Sequence, residues 1–236
     1  MPGFRVLGLV PARAGSKGVP GKNLRVLGAK PLLQYTAEAA LASQRLTRTV
    51  LSTDDDRIAA VGRQCGLDAP FLRPSELAGD EAPMLPVVQH ALAALHAEGD
   101  CYDAVCLLQP TSPFRTAEDI DGCIALLSES GADAVVTTLP VPPAYNPHWV
   151  YFADESGVLR LSTGAASPIA ARQLLPAAFH REGSVYVTRT RVIAEQNSLY
   201  GARLLGFPID AGRSVNIDDP EDWARAEQVL LHLGAI

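Results

Sequence analysis

Residues 5–23 read RVLGLVPARAGSKGVPGKN, an apolar run that enters a loop with three glycines and three cations. The apolar run at 5–11 has the composition of a buried strand. Glycines let backbone N–H groups turn toward an anion and the cations neutralise it, so the loop predicts a polyphosphate site. The alternative is a mobile surface loop with solvated charges. It is not a Walker A loop, because Gly21-Lys22 is followed by Asn23 and not by Ser or Thr.

The composition of the 236 residues is that of a folded protein with a substantial core. Apolar residues at 47% and charged residues at 19% exclude a disordered chain. No apolar run approaches the ~20 residues needed to cross a bilayer, so no membrane contact is expected. The formal charge of −6 argues against a nucleic acid partner, whereas all three lysines fall in the first thirty residues. Four cysteines without Cys-x-x-Cys spacing favour a reduced, cytoplasmic location.

Apolar β-rich runs alternate with helical patterns, which is typical of a parallel sheet with crossover helices. Strands are expected at residues 5–11, 49–53, 70–72, 104–109, 134–139 and 184–188. Helices are expected to begin near Pro31, Asp55, Leu85 and Ala117, and a last one covers residues 220–233. The sequence therefore predicts an α/β fold with a mostly parallel sheet, in a single domain over residues 1–236.

A proline-rich stretch interrupts this alternation in the second half of the chain. The prolines between 140 and 147 are followed by β-like pieces at 149–152 and 158–161, joined by a turn at 154–157. Residues 144–176 are therefore expected to form a small β-containing insertion or flap, and not a second domain.

Five segments together carry a resemblance to a known family. They are residues 11–23, STDD at 52–55, LRPSELAGD at 72–80, LLQPTSPFRT at 107–116 and SVNID at 214–218. In order and spacing they closely resemble the acylneuraminate cytidylyltransferases, the CMP-sialic acid synthetase family of sugar nucleotidyltransferases. One segment alone would be weak support, but five in order make chance similarity improbable.

The resemblance implies a Rossmann-like three-layer nucleotidyltransferase fold and a defined reaction. CMP passes from CTP to the anomeric hydroxyl of a nine-carbon 2-keto sugar acid, an N-acylneuraminate or a related nonulosonic acid, and pyrophosphate is released. The residues that would hold the nucleotide are Arg13, Ser16, Lys17, Lys22 and Asn23 at the triphosphate and Arg73 beside the base. Arg13, Lys22 and Asp218 are the expected catalytic residues, because stabilising the charge on the transferred phosphoryl group is most of the catalysis.

By the same resemblance, the polar residues that follow the strand ending at Gln109 are expected to hold the sugar. Ligands lie beyond the carboxyl ends of strands in open α/β sheets, which places Gln109, Thr111, Ser112 and Arg115 there. Gln109 offers a donor and an acceptor, and Arg115 could form a two-pronged pair with a carboxylate. The alternative is a plain strand-to-helix turn, in which Thr116 caps the next helix.

Residues 172–186 resemble the family's sugar-side segments. Arg172 is a candidate partner for the substrate carboxylate or a phosphate, and Tyr186 for packing against the sugar, although a tyrosine on a strand is equally a core residue. His180 and Glu182 depart from the commoner arginine and asparagine before the following glycine, which leaves the acyl substituents of the sugar open.

The segment Val215-Asn216-Ile217-Asp218 alternates as a strand would, which places Asn216 and Asp218 on one side. Two oxygen ligands completed by substrate phosphates and water are a usual Mg²⁺ site. The family commonly has aspartate at both places, so Asn216 shifts metal binding toward Asp218 and the nucleotide. The alternative is a helix cap before Pro220, a role that suits Asp219.

Three points remain open in the sequence. Leu199 and Tyr200 match positions where relatives present apolar side chains to a neighbouring subunit, so the resemblance implies a homodimer. Pro83 and Met84 stand where relatives often have small hydroxylic residues near the base. A related nucleotidyltransferase that uses another sugar acid as acceptor, or GTP as donor, is therefore an alternative. A non-catalytic nucleotide-sensing module is a second alternative.

Overall fold

The computed structural model describes residues 3–234, which fold around a six-stranded sheet. The strands are β1 (Val6–Pro11), β2 (Val26–Leu27), β3 (Lys30–Pro31), β4 (Arg48–Ser52), β5 (Ala104–Leu107), β6 (Ala134–Pro140), β7 (Tyr151–Ala153), β8 (Leu159–Leu161), β9 (Phe179–Arg189) and β10 (Leu204–Pro208). The helices are α1 (Leu32–Ala42), α2 (Asp56–Gln64), α3 (Met84–Ala97), α4 (Ala117–Ser130), α5 (Thr190–Glu195) and α6 (Pro220–His232).

The central sheet has the strand order β10-β6-β9-β5-β1-β4, and β9 alone of these strands runs against the others. The mostly parallel α/β sheet expected from the sequence is therefore confirmed. Because β1, β4 and β5 are parallel neighbours, their carboxyl ends lie side by side. The loops that follow these three strands meet at one edge of the sheet, where ligands bind in open α/β folds.

The side chains of β1 separate two layers of helices. Val6 and Val10 pack with α1, α2 and α4 on one face, whereas Leu7 and Leu9 pack with α3 and α5 on the other. All four are fully buried, as expected for a strand covered on both faces. A third apolar cluster joins α6 to the loop after β1, which fixes the last helix beside that loop.

Two helices begin at the caps that the sequence predicts. Thr116 and Asp119 form a capping box at α4, and Asp219 and Asp222 form another at α6. Burial by itself raises the pKa of the Asp119 carboxyl, but hydrogen bonds from Arg213 and from the Thr116 amide outweigh it, so the net pKa is lowered. Asp119 is therefore held as a charged group inside the fold.

The predicted strands omit β2, β3 and β10, and they include one, at 70–72, that the structure lacks. The strand expected at 70–72 is wrong: only Asp68 bridges to Val50 of β4, and Pro70 has no N–H to continue the pairing. β10 was not predicted, because its Gly206 and Pro208 resemble a turn. It lies at the sheet edge beside β6, where a proline costs no ladder bond.

The chain between β6 and β9 leaves the sheet and carries a small hairpin. β7 and β8 pair antiparallel there, close to the two β-like pieces expected from the sequence. Asn146 Nδ2 donates to Pro176 O at 3.0 Å and so joins the two ends of this segment.

None of the helices within residues 3–234 is long and apolar enough to cross a membrane.

Candidate active site

A basic pocket of about 400 Å³ opens at the carboxyl edge of β1, β4 and β5. Its walls come from the loop after β1, the chain that follows β4, the turn after β5 and the segment before α6. The predicted site residues that line it are Arg13, Ser16, Lys17, Lys22, Asn23, Arg73, Gln109, Thr111 and Asp218. Residues that are far apart in the chain are thus brought together around one cavity.

Lys22 is a buried cation of this pocket, as is Arg73. Its ammonium donates to the carbonyl oxygen of Ile217 and lies 3.6 Å from Asp218 Oδ1. Burial lowers the pKa of Lys22 below its ordinary value, and the Asp218 carboxylate opposes that shift only in part. A buried ammonium is strongly attracted to any anion in the pocket, because little water screens it.

The glycine at position 18 allows the loop after β1 to lie against the segment before α6. A Cβ at Gly18 would lie 1.9 Å from the carbonyl oxygen of Asp218, so a side chain there would displace the backbone. Nearby, Asn23 Nδ2 donates to Arg13 O at 2.9 Å and closes the loop on itself. Asn23 therefore shapes the loop, in addition to lining the pocket.

Arg13 and Lys17 share one carboxylate. Asp80 accepts a hydrogen bond from Arg13 Nη1, and Lys17 Nζ lies 2.7 Å from its second oxygen. These two cations lower the pKa of the Asp80 carboxyl. Sequence reasoning gave Asp80 no role, although it ends the family-like segment at 72–80.

Arg73 forms the wall beyond β4. Its Nη2 donates to Ser52 O at 2.6 Å and its Nε to Ser52 Oγ at 3.1 Å, so the guanidinium is fixed in place. Burial lowers its pKa, and the Asp54 carboxylate acts in the opposite direction. Met84, the first residue of α3, also lines the pocket, so the wall expected near the base combines one cation with one apolar side chain.

The turn after β5 divides the predicted sugar-side residues. Gln109 and Thr111 line the pocket, whereas Ser112 is buried, and its hydroxyl has no hydrogen-bond partner among the described residues. Arg115 lies inside the protein, although the sequence places it in the site. The reason is that its donors bond to Ser184 O at 2.8 Å, to Thr36 Oγ1 at 2.6 Å and to Gln109 O.

Arg115 therefore holds the turn that presents Gln109, and its guanidinium does not face the cavity. Arg172 and Tyr186 also lie outside the pocket. Arg172 is on the segment between β6 and β9 and lines a separate cavity with Asn146. Tyr186 is buried on β9, with its ring edge-on to Tyr200 at a centroid distance of 6.5 Å.

Three contacts fix the segment that carries Asp218. Ser214 Oγ donates to Glu182 Oε1 at 3.0 Å, Ile217 N donates to Thr111 O at 2.7 Å, and Lys22 donates to Ile217 O. Glu182 also accepts from the Ser184 amide at 2.8 Å. Its departure from the family pattern thus has a structural use, because it ties β9 to the Asp218 segment.

Asn216 and Asp218 lie on the same side, as expected, but residues 214–217 form no strand. Asn216 Nδ2 donates to Asp218 Oδ2. Within residues 3–234 no group of three or more His, Cys, Asp or Glu is arranged to hold a metal ion. The exposed Asp218 carboxylate fits Mg²⁺, with phosphate and water oxygens as the other ligands, whereas Asn216 presents its amide N–H to that carboxylate.

The pocket therefore combines cations for a chain of phosphates, one exposed carboxylate for a metal, and an amide for a polar acceptor. Arg13, Lys17, Lys22 and Arg73 supply the positive charge, and Gln109 lies at the carboxyl end of β5. Neither a cysteine nor a histidine lines the cavity within the described chain. Such an arrangement suits phosphoryl transfer by positioning and charge stabilisation.

Comparison with known proteins agrees with this chemistry. A family model described as Cytidylyltransferase matches residues 7–200. The chain is 34% identical to a CMP-N,N'-diacetyllegionaminic acid synthase of Legionella pneumophila, over 96% of this chain and 97% of that protein. It is 29% identical to a pseudaminic acid cytidylyltransferase of Campylobacter jejuni, over 91% of each chain. An N-acylneuraminate cytidylyltransferase of Escherichia coli is 29% identical over 94% of this chain and 51% of its own length.

The fold has a match among solved structures. A CMP-2-keto-3-deoxy-manno-octonic acid synthetase, solved in complex with CTP, superposes with a TM-score of 0.73 over 97% of this chain and 99% of that chain. Its sequence identity is 15%, so the likeness concerns the fold alone.

Proposed function

The chain belongs to the cytidylyltransferase family, and from that premise we propose that it transfers CMP from CTP to the anomeric hydroxyl of a nonulosonic acid, releasing pyrophosphate. The observation that carries the proposal is the convergence of Arg13, Lys17, Lys22 and Arg73 with Gln109 in one pocket at the carboxyl edge of the sheet. A pocket with four cations favours a polyanion, and the adjoining Gln109 favours a hydroxylated acceptor.

On the nucleotide side, Arg13, Lys17 and Lys22 bind the triphosphate, and Arg73 lies beside the base. The sugar oxygen forms a bond to the α-phosphorus while the bond to the oxygen bridging to the β-phosphorus breaks, and the hydroxyl proton passes to solvent. Lys22 is placed to stabilise the transferring group, because its ammonium is buried and fixed by Ile217 O.

Magnesium, when bound, would neutralise charge on the phosphate oxygens. Asp218 would hold it, since its side chain is well exposed and is oriented by Asn216 and Lys22. Phosphate oxygens would supply most of the other ligands. Magnesium binding would therefore depend on bound nucleotide more strongly than it would at a site with two aspartates.

On the acceptor side, Gln109 and Thr111 bind the sugar at the end of β5. The relatives are named for legionaminic, pseudaminic and neuraminic acids, all nine-carbon 2-keto sugar acids, and we assign the acceptor to this class. Arg115 supports Gln109 through its carbonyl and makes no sugar contact in this proposal.

The proposal includes a homodimer acting in the cytoplasm, where CTP is available. Exposed apolar side chains of the hairpin, Tyr151, Phe152 and Leu159, support a protein partner for it. Tyr200 is partly buried and accepts a hydrogen bond from Arg181 at 2.7 Å. Light scattering of the purified protein measures the mass, and a monomer at working concentration would contradict the dimer.

The test of the reaction is a matrix of CTP, GTP, UTP and ATP against N-acetylneuraminic, N,N'-diacetyllegionaminic and pseudaminic acids, read as pyrophosphate release with magnesium. We expect release to require CTP and at least one of the three sugars. Because Met84 is part of the pocket wall, a GTP-dependent reaction is the second candidate, and preference for GTP over CTP would establish it. Nucleotide binding without turnover on any sugar would instead favour the sensing module.

A further inference from the structure

The acids in the pocket lie on the cations that a triphosphate needs. Within the described chain the cavity has four cationic and two acidic lining residues, Asp80 and Asp218. Asp218 lies 3.6 Å from Lys22, and Asp80 pairs with both Arg13 and Lys17. The charges of two of the four cations are therefore balanced by a single carboxylate.

The Asp80 carboxylate is not held by its own loop. In this fold Asp55, Asp119, Asp154 and Asp219 each accept hydrogen bonds from backbone N–H groups near them. Among the described residues, Asp80 has as its only polar partners the side chains of Arg13 and Lys17. It can therefore leave these cations without breaking a turn or a cap.

The two ion pairs lie at the open end of the pocket. The side chain of Lys17 is 82% exposed, and those of Arg13 and Asp80 are each 31% exposed. Exposed pairs of this kind are weak, because water and salt screen them. A ligand with several negative charges outcompetes the single charge of Asp80, whereas a singly charged ligand does not.

We propose that Asp80 is a specificity-determining residue: its carboxylate competes with pyrophosphate, both as part of CTP and as the released product, for Arg13 and Lys17. This inference takes the identity of the ligand from the proposed function. The competition has two consequences. It excludes weakly charged anions from the two cations, and it weakens the hold of the site on the pyrophosphate product, which speeds release.

The experiment is calorimetric titration of the full chain with inorganic pyrophosphate, and separately with CTP, in buffer with EDTA. We expect Asp80→Asn to bind pyrophosphate about fivefold more tightly than the wild type, as the loss of two weak competing pairs implies. The matched control is Glu81→Gln, which removes the same charge from an exposed neighbour with no ion pair in the described structure, and its affinity should stay within about twofold of wild type.

Equal affinity of Asp80→Asn and wild type for pyrophosphate would overturn the inference. So would equal tightening in both variants, which would reflect net charge alone. A repeat with magnesium separates a further role: weaker CTP binding by Asp80→Asn only when magnesium is present would make Asp80 a metal ligand and not a competitor. If the wild type binds pyrophosphate but neither binds nor turns over CTP, the proposed function fails. The comparison of Asp80→Asn with the wild type would still test whether Asp80 competes with pyrophosphate.

Discussion

Lys22→Met removes one of the two buried charges of the pocket, the other being Arg73, and keeps most of the aliphatic stem. We expect turnover to fall by about 100- to 1000-fold, corresponding to about 2.7 to 4 kcal/mol, as for loss of one preorganised electrostatic donor. Stability should change little. Loss of the hydrogen bond to Ile217 O costs about 1 to 3 kcal/mol, but relief of the desolvated ammonium offsets it, and Asp218 remains in contact with water.

The assay is the initial rate of pyrophosphate release at saturating CTP and sugar, beside a thermal melt. Lys30→Met is the matched control, because it removes the same charge from a lysine that pairs with Glu38 away from the pocket. Its turnover should stay within about twofold of wild type. If Lys22→Met kept turnover within about tenfold of wild type at saturating CTP, the electrostatic role of Lys22 would be refuted.

Five other substitutions test the site and the contacts that support it. Asp218→Asn should depress turnover severely and raise the magnesium concentration required for activity, whereas Asn216→Asp should lower that concentration. If neither variant shifted the midpoint of a magnesium titration of activity, the metal assignment would be contradicted. Gln109→Ala should raise the sugar KM or lower turnover while CTP affinity by calorimetry stays within about threefold; loss of CTP binding with normal sugar dependence would reverse the two ends of the site. Arg115→Met should lower the free energy of unfolding by about 3 kcal/mol, and with it the melting temperature, because it leaves buried acceptors without a donor. A raised sugar KM at unchanged stability would return Arg115 to the sugar site. Asp119→Asn should lower the free energy of unfolding by about 2 kcal/mol at neutral pH. Because the pKa of Asp119 is lowered in the folded protein, urea unfolding should show this difference shrinking as the pH falls below about 4. A pH-independent difference would exclude the ionic contribution.

Local signals in the sequence were sufficient for the loop after β1 and for the helix starts. The three cations of residues 12–23 are close in the chain, and together with Gly18 they line the pocket. The caps Thr116 and Asp219 depend on contacts within three residues, so their side chains and spacing identify them. Most of the sheet followed from the same short-range patterns.

Long-range contacts decided what the sequence could not. A long side chain in the turn between β5 and α4 can face the pocket or the interior, and Arg115 faces inward because Thr36 and Ser184 offer acceptors there. Asp80 joins the site only because the chain after β4 returns beside the loop that carries Arg13. Neither partner is visible in local spacing or composition.

The central claim is transfer of CMP to a nonulosonic acid, and ³¹P NMR of the complete reaction tests it most directly. With CTP, magnesium and a nonulosonic acid, we expect one new phosphodiester resonance of a CMP-sugar to appear in equal amount with pyrophosphate, and neither to form when the sugar is omitted. Pyrophosphate that forms without sugar, or a resonance that appears equally with ATP or GTP in place of CTP, would contradict the account.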